Sequence, residues 1–555
     1  MIPPRFKRLI PLLCCLIVTA CGQTAPQVAG VQPNSTVTSA THTPATPTAR
    51  PPTATTAPAA RSAWPVPDWQ SASPESRGMD SRQLAQMLEF IRDQKLDIHS
   101  VLIARHGVLV HETYFYPYAP ETPHAIYSAT KSVSGALIGL AIAEGKIPSA
   151  QTPLLDLFPE RTVQNVDARK QAITLEHLLT MSSGLSWRRP ASGGPPPVYA
   201  FQNSDDPVQF VLDRPVDDEP GSRFFYNSGG SHLLSAIVQE RTGQTALDYA
   251  RQKLFGPLGI NDVSWESAAQ GVNDGGTGIW LRPRDMARFG LLYLRQGEWD
   301  GRQILPAEWV AASTTRHMPA PDKEGQGYPP TPNLVGYGYQ WWINALGGYS
   351  AIGFGEQEII VLPEQDLVVV ITGTTPESGS ITPEDLTRKF IVPAVKSANP
   401  LPENPVAAER LAALSQSLSA APSPQPIAPL PAIAGEISGK RYEIRSEDGR
   451  QVESFALTFG AEDASYSGMI DGQAGTVTVG LDGVDRRTAT EAGNVLARGV
   501  WQDERTFVID LNLLGEAMHE EATFTFEGER VTAAFRSYVY GNVFTMHGRQ
   551  TDAAP

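Results

Sequence analysis

Two proline-rich segments divide this 555-residue chain and limit where it can fold. Residues 22–62 consist mainly of Thr, Pro and Ala and contain no acidic or aromatic residue. Such a segment cannot bury enough apolar surface to offset its ordering entropy, so we expect an extended tether. A second proline-rich stretch follows a predicted helix at 405–419, and residues 401–432 are interpreted as a helix and linker. We therefore expect a body at 63–400 and a smaller domain at 433–552.

The first 21 residues are typical of a lipoprotein signal peptide. Basic residues precede the apolar run 9–20, which at ~1.5 Å per residue is too short to cross a bilayer core. The run ends in Val-Thr-Ala-Cys, which resembles a bacterial lipobox with Cys21 as the lipidated residue. An ordinary signal peptide cut after Ala20 is the alternative. The sequence thus predicts an extracytoplasmic protein held at a bacterial membrane by a lipid anchor.

Composition excludes several kinds of chemistry. The cysteines are Cys14, Cys15 and Cys21, so the rest of the chain has no disulfide, thiol nucleophile or thiolate metal site. A net charge of −15 argues against nucleic acid as the main partner. The ten histidines show no tight metal-ligand spacing, and His232 is expected to be a packed residue. We therefore expect no metal and no cofactor.

The C-terminal domain alternates apolar and polar residues in short runs. These runs include 455–459, 476–479, 507–511 and 522–526, and turn pairs such as Asp471-Gly472 separate several of them. A period of two residues indicates antiparallel β-strands, so we expect a small barrel or sandwich. The domain shows no catalytic cluster, and we interpret it as accessory.

Ser128 and Lys131 form a Ser-x-x-Lys pattern at the start of a small-residue and apolar run. The run predicts a buried helix with Ser128 at its N-terminal end, where the helix dipole favours developing negative charge. Lys131 lies one turn further on the same face, placed to take the serine proton in nucleophilic acyl transfer. Alone the pattern is weak, because a capping serine beside a solvated lysine has the same spacing.

Longer phrases carry a family resemblance. They are LLTMSSGL at 178–185, PGSRFFYNSGG at 220–230, RPRDMARFG at 282–290 and GYQWW at 338–342. With the Ser-x-x-Lys pattern, these phrases resemble the serine β-lactamase/penicillin-binding-protein superfamily. The similarity is to its class C-like branch of esterases, D-aminopeptidases and 6-aminohexanoate-dimer hydrolases. The resemblance implies an α+β fold in which helices flank an antiparallel sheet beside a helical subdomain; the small all-β domain would follow.

The resemblance also assigns residues to a site. It implies that Tyr226 is the second-motif tyrosine, which relays protons beside Ser128 and Lys131. It implies a third motif on an edge strand that ends at Gly353. It further implies an oxyanion hole made by the backbone N–H groups of Ser128 and Phe354.

Two departures from the family pattern bear on the substrate. Lactam-processing relatives have Lys-Thr-Gly in the third motif, where this chain has Ala351 and Ile352 before the glycine. The second motif usually reads Tyr-x-Asn, but its third position here is Ser228, with Asn227 out of register. In those relatives the lysine cation and threonine hydroxyl bind the carboxylate of the substrate. Because this chain lacks both groups, we expect a neutral ester or amide as its substrate. The alternatives are a D-amino-acid or muropeptide peptidase and a non-catalytic binding or sensor protein.

Overall fold

The computed structural model describes residues 63–189, 196–321, 328, 331–374, 381–446, 452–470, 473–541 and 543–551. The signal peptide, Cys21, the 22–62 tether and the Asp471-Gly472 turn lie outside these ranges. Within them, every helix is too short or too polar to traverse a bilayer.

The helices surround a sheet in the body and mostly begin at capping side chains. Asp80, for example, accepts a hydrogen bond from the backbone N–H of Arg82 at the start of the first helix. In chain order the α-helices are α1 (Ser81–Asp93), α2 (Thr130–Ala143), α3 (Ala168–Gln171), α4 (Leu175–Leu179), α5 (Pro197–Gln202), α6 (Pro207–Leu212), α7 (Ser228–Thr242), α8 (Ala246–Ala250), α9 (Pro283–Leu294), α10 (Ala307–Ser313), α11 (Pro383–Leu386), α12 (Val392–Ala394), α13 (Pro405–Ser419) and α14 (Ala432–Ile437). Short 3-10 turns lie at Glu75–Arg77, Tyr127–Ala129, Leu155–Leu157, Ala269–Gly271 and Pro363–Gln365, and π-helical turns at Arg251–Phe255 and Thr387–Ile391.

The body contains an eight-stranded antiparallel sheet. Its strands and those of two smaller sheets are β1 (Ile98–Arg105), β2 (Val108–Tyr114), β3 (His124–Ala125), β4 (Ser264–Trp265), β5 (Ile279–Leu281), β6 (Glu298–Trp299), β7 (Arg302–Gln303), β8 (Met318–Pro319), β9 (Leu334–Tyr337), β10 (Trp342–Asn344), β11 (Tyr349–Gly353), β12 (Gln357–Leu362) and β13 (Leu367–Gly373). The main sheet has the order β2-β1-β13-β12-β11-β10-β9-β8, so β1, the first strand of the body, pairs with β13, its last. This connection brings residues from both ends of the body together.

Helices cover both faces of this sheet. Val369 belongs to the core on the face of α1 and α13, whereas its neighbours Val368 and Val370 belong to the core on the face of α2 and α9. The two cores follow from the alternation of side chains along each strand. Helix α9 lies close to the sheet because Gly290 has no side chain there; a Cβ at Gly290 would lie 2.7 Å from Val368 Cγ1.

The C-terminal strands form a separate barrel. They are β14 (Arg441–Ser446), β15 (Val452–Phe459), β16 (Asp463–Ile470), β17 (Gln473–Gly480), β18 (Arg486–Ala489), β19 (Asn494–Trp501), β20 (Thr506–Leu513), β21 (Met518–Glu527), β22 (Arg530–Ser537) and β23 (Val543–Thr551). A pairing between β17 and β19 closes the sheet, with Gly480 opposite Arg498. Alternate side chains such as Phe507 and Ile509 fill the interior. The α+β fold with an additional all-β domain, as expected from the sequence, is confirmed.

Candidate active site

Ser128 lies on the 3-10 turn Tyr127–Ala129, which runs directly into α2. Tyr127 has a φ of 43°, in the left-handed region, which costs a non-glycine residue about 1–3 kcal/mol. Helix α2 is buried along nearly its whole length. A half-buried Ser128 is therefore presented at the end of a rigid helix by a turn that its surroundings hold in a strained conformation.

The Lys131 side chain is buried beside this serine, with only 2% of the residue exposed. Its Nζ donates a hydrogen bond to Ser128 Oγ at 2.9 Å and another to the carbonyl oxygen of Gly276 at 2.7 Å. Two fixed partners aim the ammonium at the hydroxyl. A cation in this place stabilises negative charge that develops on Oγ.

Tyr226 lies against the same lysine, immediately before Asn227, which caps helix α7. Lys131 Nζ is 4.9 Å from the centroid of the Tyr226 ring. The ring is stacked on Trp342 at a centroid distance of 5.9 Å and contacts Tyr328 at 5.4 Å. The structure thus brings Ser128, Lys131 and Tyr226 into one cluster.

The loop at 274–276, which the sequence did not single out, holds the Lys131 side chain in place. The Asp274 carboxylate accepts a hydrogen bond from the backbone N–H of Gly276 at 2.9 Å, and Ser134 Oγ on α2 donates to the Gly275 carbonyl at 2.8 Å. A Cβ at Gly275 would lie 2.2 Å from the Ser231 carbonyl oxygen, so glycine permits this close approach to α7. The Asp-Gly-Gly sequence is the only local signal of the loop.

The Asp274 carboxylate is negatively charged and lies near Lys131. Burial by itself would raise its pKa, but His232, the Gly276 N–H and the charge of Lys131 together hold the pKa below its ordinary value. The Nδ1 atom of His232 lies 3.7 Å from the carboxylate. His232 is fully buried and its ring contacts Phe201 edge-on, as expected for a packed residue.

Asn227 and Ser228, which follow Tyr226 in the second motif, make different contacts. The Asn227 side-chain oxygen accepts a hydrogen bond from the Gly230 N–H at 3.0 Å and so caps α7. Ser228 begins the helix and is half-buried, with its Cβ 3.3 Å from the place that a Cβ on Gly276 would occupy. Of the two, Ser228 therefore lies next to the loop that binds Lys131.

The third-motif residues lie beside the nucleophile turn. A Cβ at Gly353 would lie 2.1 Å from the carbonyl oxygen of Ile126, so only glycine fits there. The Phe354 ring contacts the Tyr127 ring edge-on at 5.5 Å. Ala351, two residues before the glycine, is 1% exposed and offers neither a cation nor a hydroxyl.

The expectation of an edge strand at this position is wrong. Strand β11 lies between β12 and β10 in the sheet. Strand β10 is short and pairs only with the beginning of β11, with Trp342 opposite Ser350 and Ile343 opposite Tyr349. Residues 351–353 extend past this pairing, toward the turn that carries Ser128.

Apolar and aromatic side chains form the wall next to Tyr226. This cluster contains Met181, Phe224, Leu334, Tyr337, Trp342 and Ile352, with Tyr226 and Tyr328 packed against it. Its rings interlock, with Phe224 5.2 Å from Tyr337 and Tyr337 4.7 Å from Trp342. All six side chains are buried, so the cluster forms a packed apolar support for the Tyr226 ring.

Three carboxylates lie close together after the third motif. Oxygens of Glu356, Glu358 and Glu384 are all within 4.8 Å of one another, a grouping that could hold a metal ion. Burial is the main cause that raises the pKa of Glu358 well above its usual value, and the neighbouring Glu384 adds to it. Burial also raises the pKa of Glu384, so each of these two buried carboxyl groups binds its proton more readily than an exposed one.

Comparison with known proteins gives consistent matches. The family model described as Beta-lactamase matches residues 82–392. The chain is 24% identical over 298 residues to the 6-aminohexanoate-dimer hydrolase of Paenarthrobacter ureafaciens, covering 50% of this chain and 72% of that protein. It is 26% identical over 220 residues to Esterase EstB of Burkholderia gladioli, covering 36% of this chain and 56% of the esterase.

A solved structure is also similar. The octameric penicillin-binding protein homologue from Pyrococcus abyssi is 18% identical, with a TM-score of 0.42. The similarity covers 84% of this chain and all of the homologue.

Proposed function

This chain belongs to the beta-lactamase family and is a serine hydrolase, and from that premise we propose that it is a membrane-tethered enzyme that cleaves a small neutral ester or amide through an acyl-Ser128 intermediate. The family and the enzyme class expected from the sequence are confirmed. The observation that carries the proposal is the buried Lys131 ammonium, 2.9 Å from Ser128 Oγ.

Acylation uses the three clustered side chains. Tyr226 reacts as the phenolate: Ser128 Oγ bonds to the acyl carbon while the serine proton passes to the phenolate oxygen. The Lys131 ammonium stabilises negative charge on Oγ, to which it donates a hydrogen bond, and it lies 4.9 Å from the centroid of the Tyr226 ring. Tyr226 then gives the proton to the leaving group as the bond from that group to the acyl carbon breaks.

Deacylation repeats these steps with water. A water molecule loses a proton to Tyr226 and bonds to the acyl carbon, and the proton returns to Ser128 Oγ as the ester bond breaks. The tetrahedral oxygen of each half-reaction would be bound by the backbone N–H groups of Ser128 and Phe354. The close approach of Gly353 to Ile126 supports this arrangement, and each donor contributes about 3 kcal/mol to such a transition state.

The substrate class follows from the walls of the site. Ala351 and Ile352 leave the third motif without the groups that grip a carboxylate, and Ser228 offers only a small hydroxyl where the pattern has an amide. Both features support a neutral substrate, in line with a relative named as an esterase.

The membrane tether is proposed from the sequence. Cys21 follows a short apolar run in a lipobox-like setting, and 22–62 has the composition of an extended tether. Mass spectrometry of the N-terminal peptide tests the anchor: a lipidated Cys21 supports it. An unmodified N-terminus cut after Ala20 would overturn it.

Turnover of p-nitrophenyl butyrate tests the proposed chemistry. We expect the purified protein to hydrolyse this ester and folded Ser128→Ala to fall to background. Equal hydrolysis by both proteins would refute the assignment of the nucleophile. Hydrolysis of D-alanine p-nitroanilide in preference to the ester would instead favour the peptidase. An acyl adduct that forms but is never released would favour a sensor.

A further inference from the structure

The barrel reaches into the body beside the nucleophile through one loop, residues 514–517, between β20 and β21. The Gly515 carbonyl accepts a hydrogen bond from the N–H of Ala125 at 2.8 Å, three residues before Ser128. A Cβ at Gly515 would lie 2.3 Å from the Pro123 carbonyl oxygen, and its φ is 88°. This loop is therefore shaped to lie against the segment that leads to the nucleophile.

The same loop binds the side chain next to Ser128. The Tyr127 hydroxyl donates a hydrogen bond to the carboxylate of Glu516 and accepts one from the Ala517 N–H at 3.2 Å. Glu516 is 6% exposed. Burial is the main cause that raises the pKa of Tyr127 well above its ordinary value, so its hydroxyl remains a donor. The strained residue at the nucleophile turn is thus held by a buried carboxylate from another domain.

The barrel also contacts the opposite side of the site. Gly355, just past the third motif, has a φ of 69°, and a Cβ there would lie 2.3 Å from the Cβ of Ala517. The Phe354 ring lies between Tyr127, at 5.5 Å, and Tyr540 of the barrel, at 5.3 Å. The loop therefore touches both backbone segments that would supply the oxyanion hole.

We propose that the barrel is a working part of the active site and that Glu516 is a positioning residue, which holds Tyr127 and through it the turn that carries Ser128. This inference rests on the proposed function of Ser128. The barrel, interpreted from the sequence as accessory, then contributes to the reaction. It holds the two backbone N–H groups of the oxyanion hole in their correct positions. Glu516 itself does not reach the reacting atoms.

Kinetics of the full chain test the proposal with p-nitrophenyl butyrate. Because a misplaced catalytic group costs about tenfold to a hundredfold in rate, we expect Glu516→Ala to lower kcat by that factor while KM stays within about twofold. Active sites are titrated by the p-nitrophenol burst, so that loss of folded protein does not imitate a slower step. Glu516→Gln, which keeps a hydrogen-bond acceptor, should recover part of the rate.

Asn512→Ala is the matched control. Asn512 accepts a hydrogen bond from Tyr118 at 3.2 Å, so this substitution removes a contact between barrel and body that does not involve Tyr127. We expect its kcat per titrated site to stay within about twofold of the wild type. Combining Glu516→Ala with Tyr127→Phe should cost no more than Tyr127→Phe alone, because that change already removes the hydrogen bond to Glu516.

Two results would overturn the positioning role. One is a wild-type kcat per titrated site in Glu516→Ala. The other is an equal loss of kcat in Asn512→Ala, which would indicate that the rate depends on docking of the barrel in general and not on Glu516. Either result leaves the nucleophile assignment intact if Ser128→Ala is inactive. An active Ser128→Ala would instead refute the proposed function on which this inference rests.

Discussion

The carboxylate of Asp274 accepts a hydrogen bond from the backbone N–H of Gly276 at 2.9 Å, and the carbonyl oxygen of the same glycine accepts one from Lys131 at 2.7 Å. The Asp274 side chain thereby holds Gly276, whose carbonyl oxygen orients the Lys131 ammonium toward Ser128. Asp274 touches none of the atoms proposed to react.

Asp274→Ala should lower kcat more than it alters KM. Without the carboxylate the Gly276 peptide is free to turn, and Lys131 loses both an oriented acceptor and a nearby negative charge. We expect a fall of about tenfold to a hundredfold in kcat. Asp274→Asn, which keeps an oxygen acceptor, should fall less; if both variants keep the wild-type kcat, the loop does not orient the lysine.

Gly353→Ala should abolish most of the activity. The new Cβ would lie 2.1 Å from the Ile126 carbonyl oxygen, and two backbone segments would have to separate. Displacing the oxyanion-hole segment should cost about 10²–10³ in kcat. The matched control is Gly435→Ala on α14, where a Cβ meets nothing within 4 Å and helix propensity improves. Wild-type kcat in Gly353→Ala would contradict the proposed oxyanion hole.

Stability should fall as pH rises between about 4.5 and 7 because of Glu516. Burial raises its pKa to about 7, against the opposing effect of the hydrogen bond from Tyr127. A carboxyl group with a higher pKa in the folded protein binds its proton more tightly there, so deprotonation removes stability on the order of 3 kcal/mol. Denaturant melts at several pH values should show this slope, and Glu516→Gln should lack it. An unchanged slope in the variant would contradict the assignment.

A second pH window, from about 6.5 to 10, belongs to His519 on the barrel. Burial would lower its pKa, but hydrogen bonds to Asp510 and to Asp97 of the body outweigh that effect and raise the pKa to about 10. The stabilisation is complete below pH 6.5 and is lost as pH rises through 10. His519→Gln should cost about 2–4 kcal/mol of unfolding free energy at pH 6, and little at pH 10.5. Denaturant unfolding measures both; an equal loss at the two values would show that charge is not the cause.

Local spacing and longer phrases were enough to single out Ser128, Lys131 and Tyr226, which the structure brings together. Ser128 and Lys131 are only three positions apart, and Tyr226 lies in a recognisable phrase, so all three could be selected before their contact was known. The barrel strands were predictable because residues 455–459 and 507–511 alternate with a period of two. The family, the fold class and the enzyme class followed from these patterns.

Other features depend on contacts that no local pattern encodes. Glu516 and Tyr127 are separated by 389 positions, so their pairing exists only after the barrel docks. The Asp274 carboxylate acts through the Gly276 backbone, to which it is hydrogen-bonded, and the Asp-Gly-Gly sequence of its loop is like that of any turn. The resemblance implied that β11 is an edge strand, whereas the short strands β10, β9 and β8 extend the sheet beyond it.

Rapid-quench mass spectrometry of the protein mixed with p-nitrophenyl butyrate tests the central claim most directly. We expect one butyryl group per chain, located on the peptide that contains Ser128, and we expect it to form and disappear at rates that reproduce kcat. Folded Lys131→Ala should form this adduct far more slowly. A butyryl group on another residue, or steady turnover with no adduct on any peptide, would contradict the account.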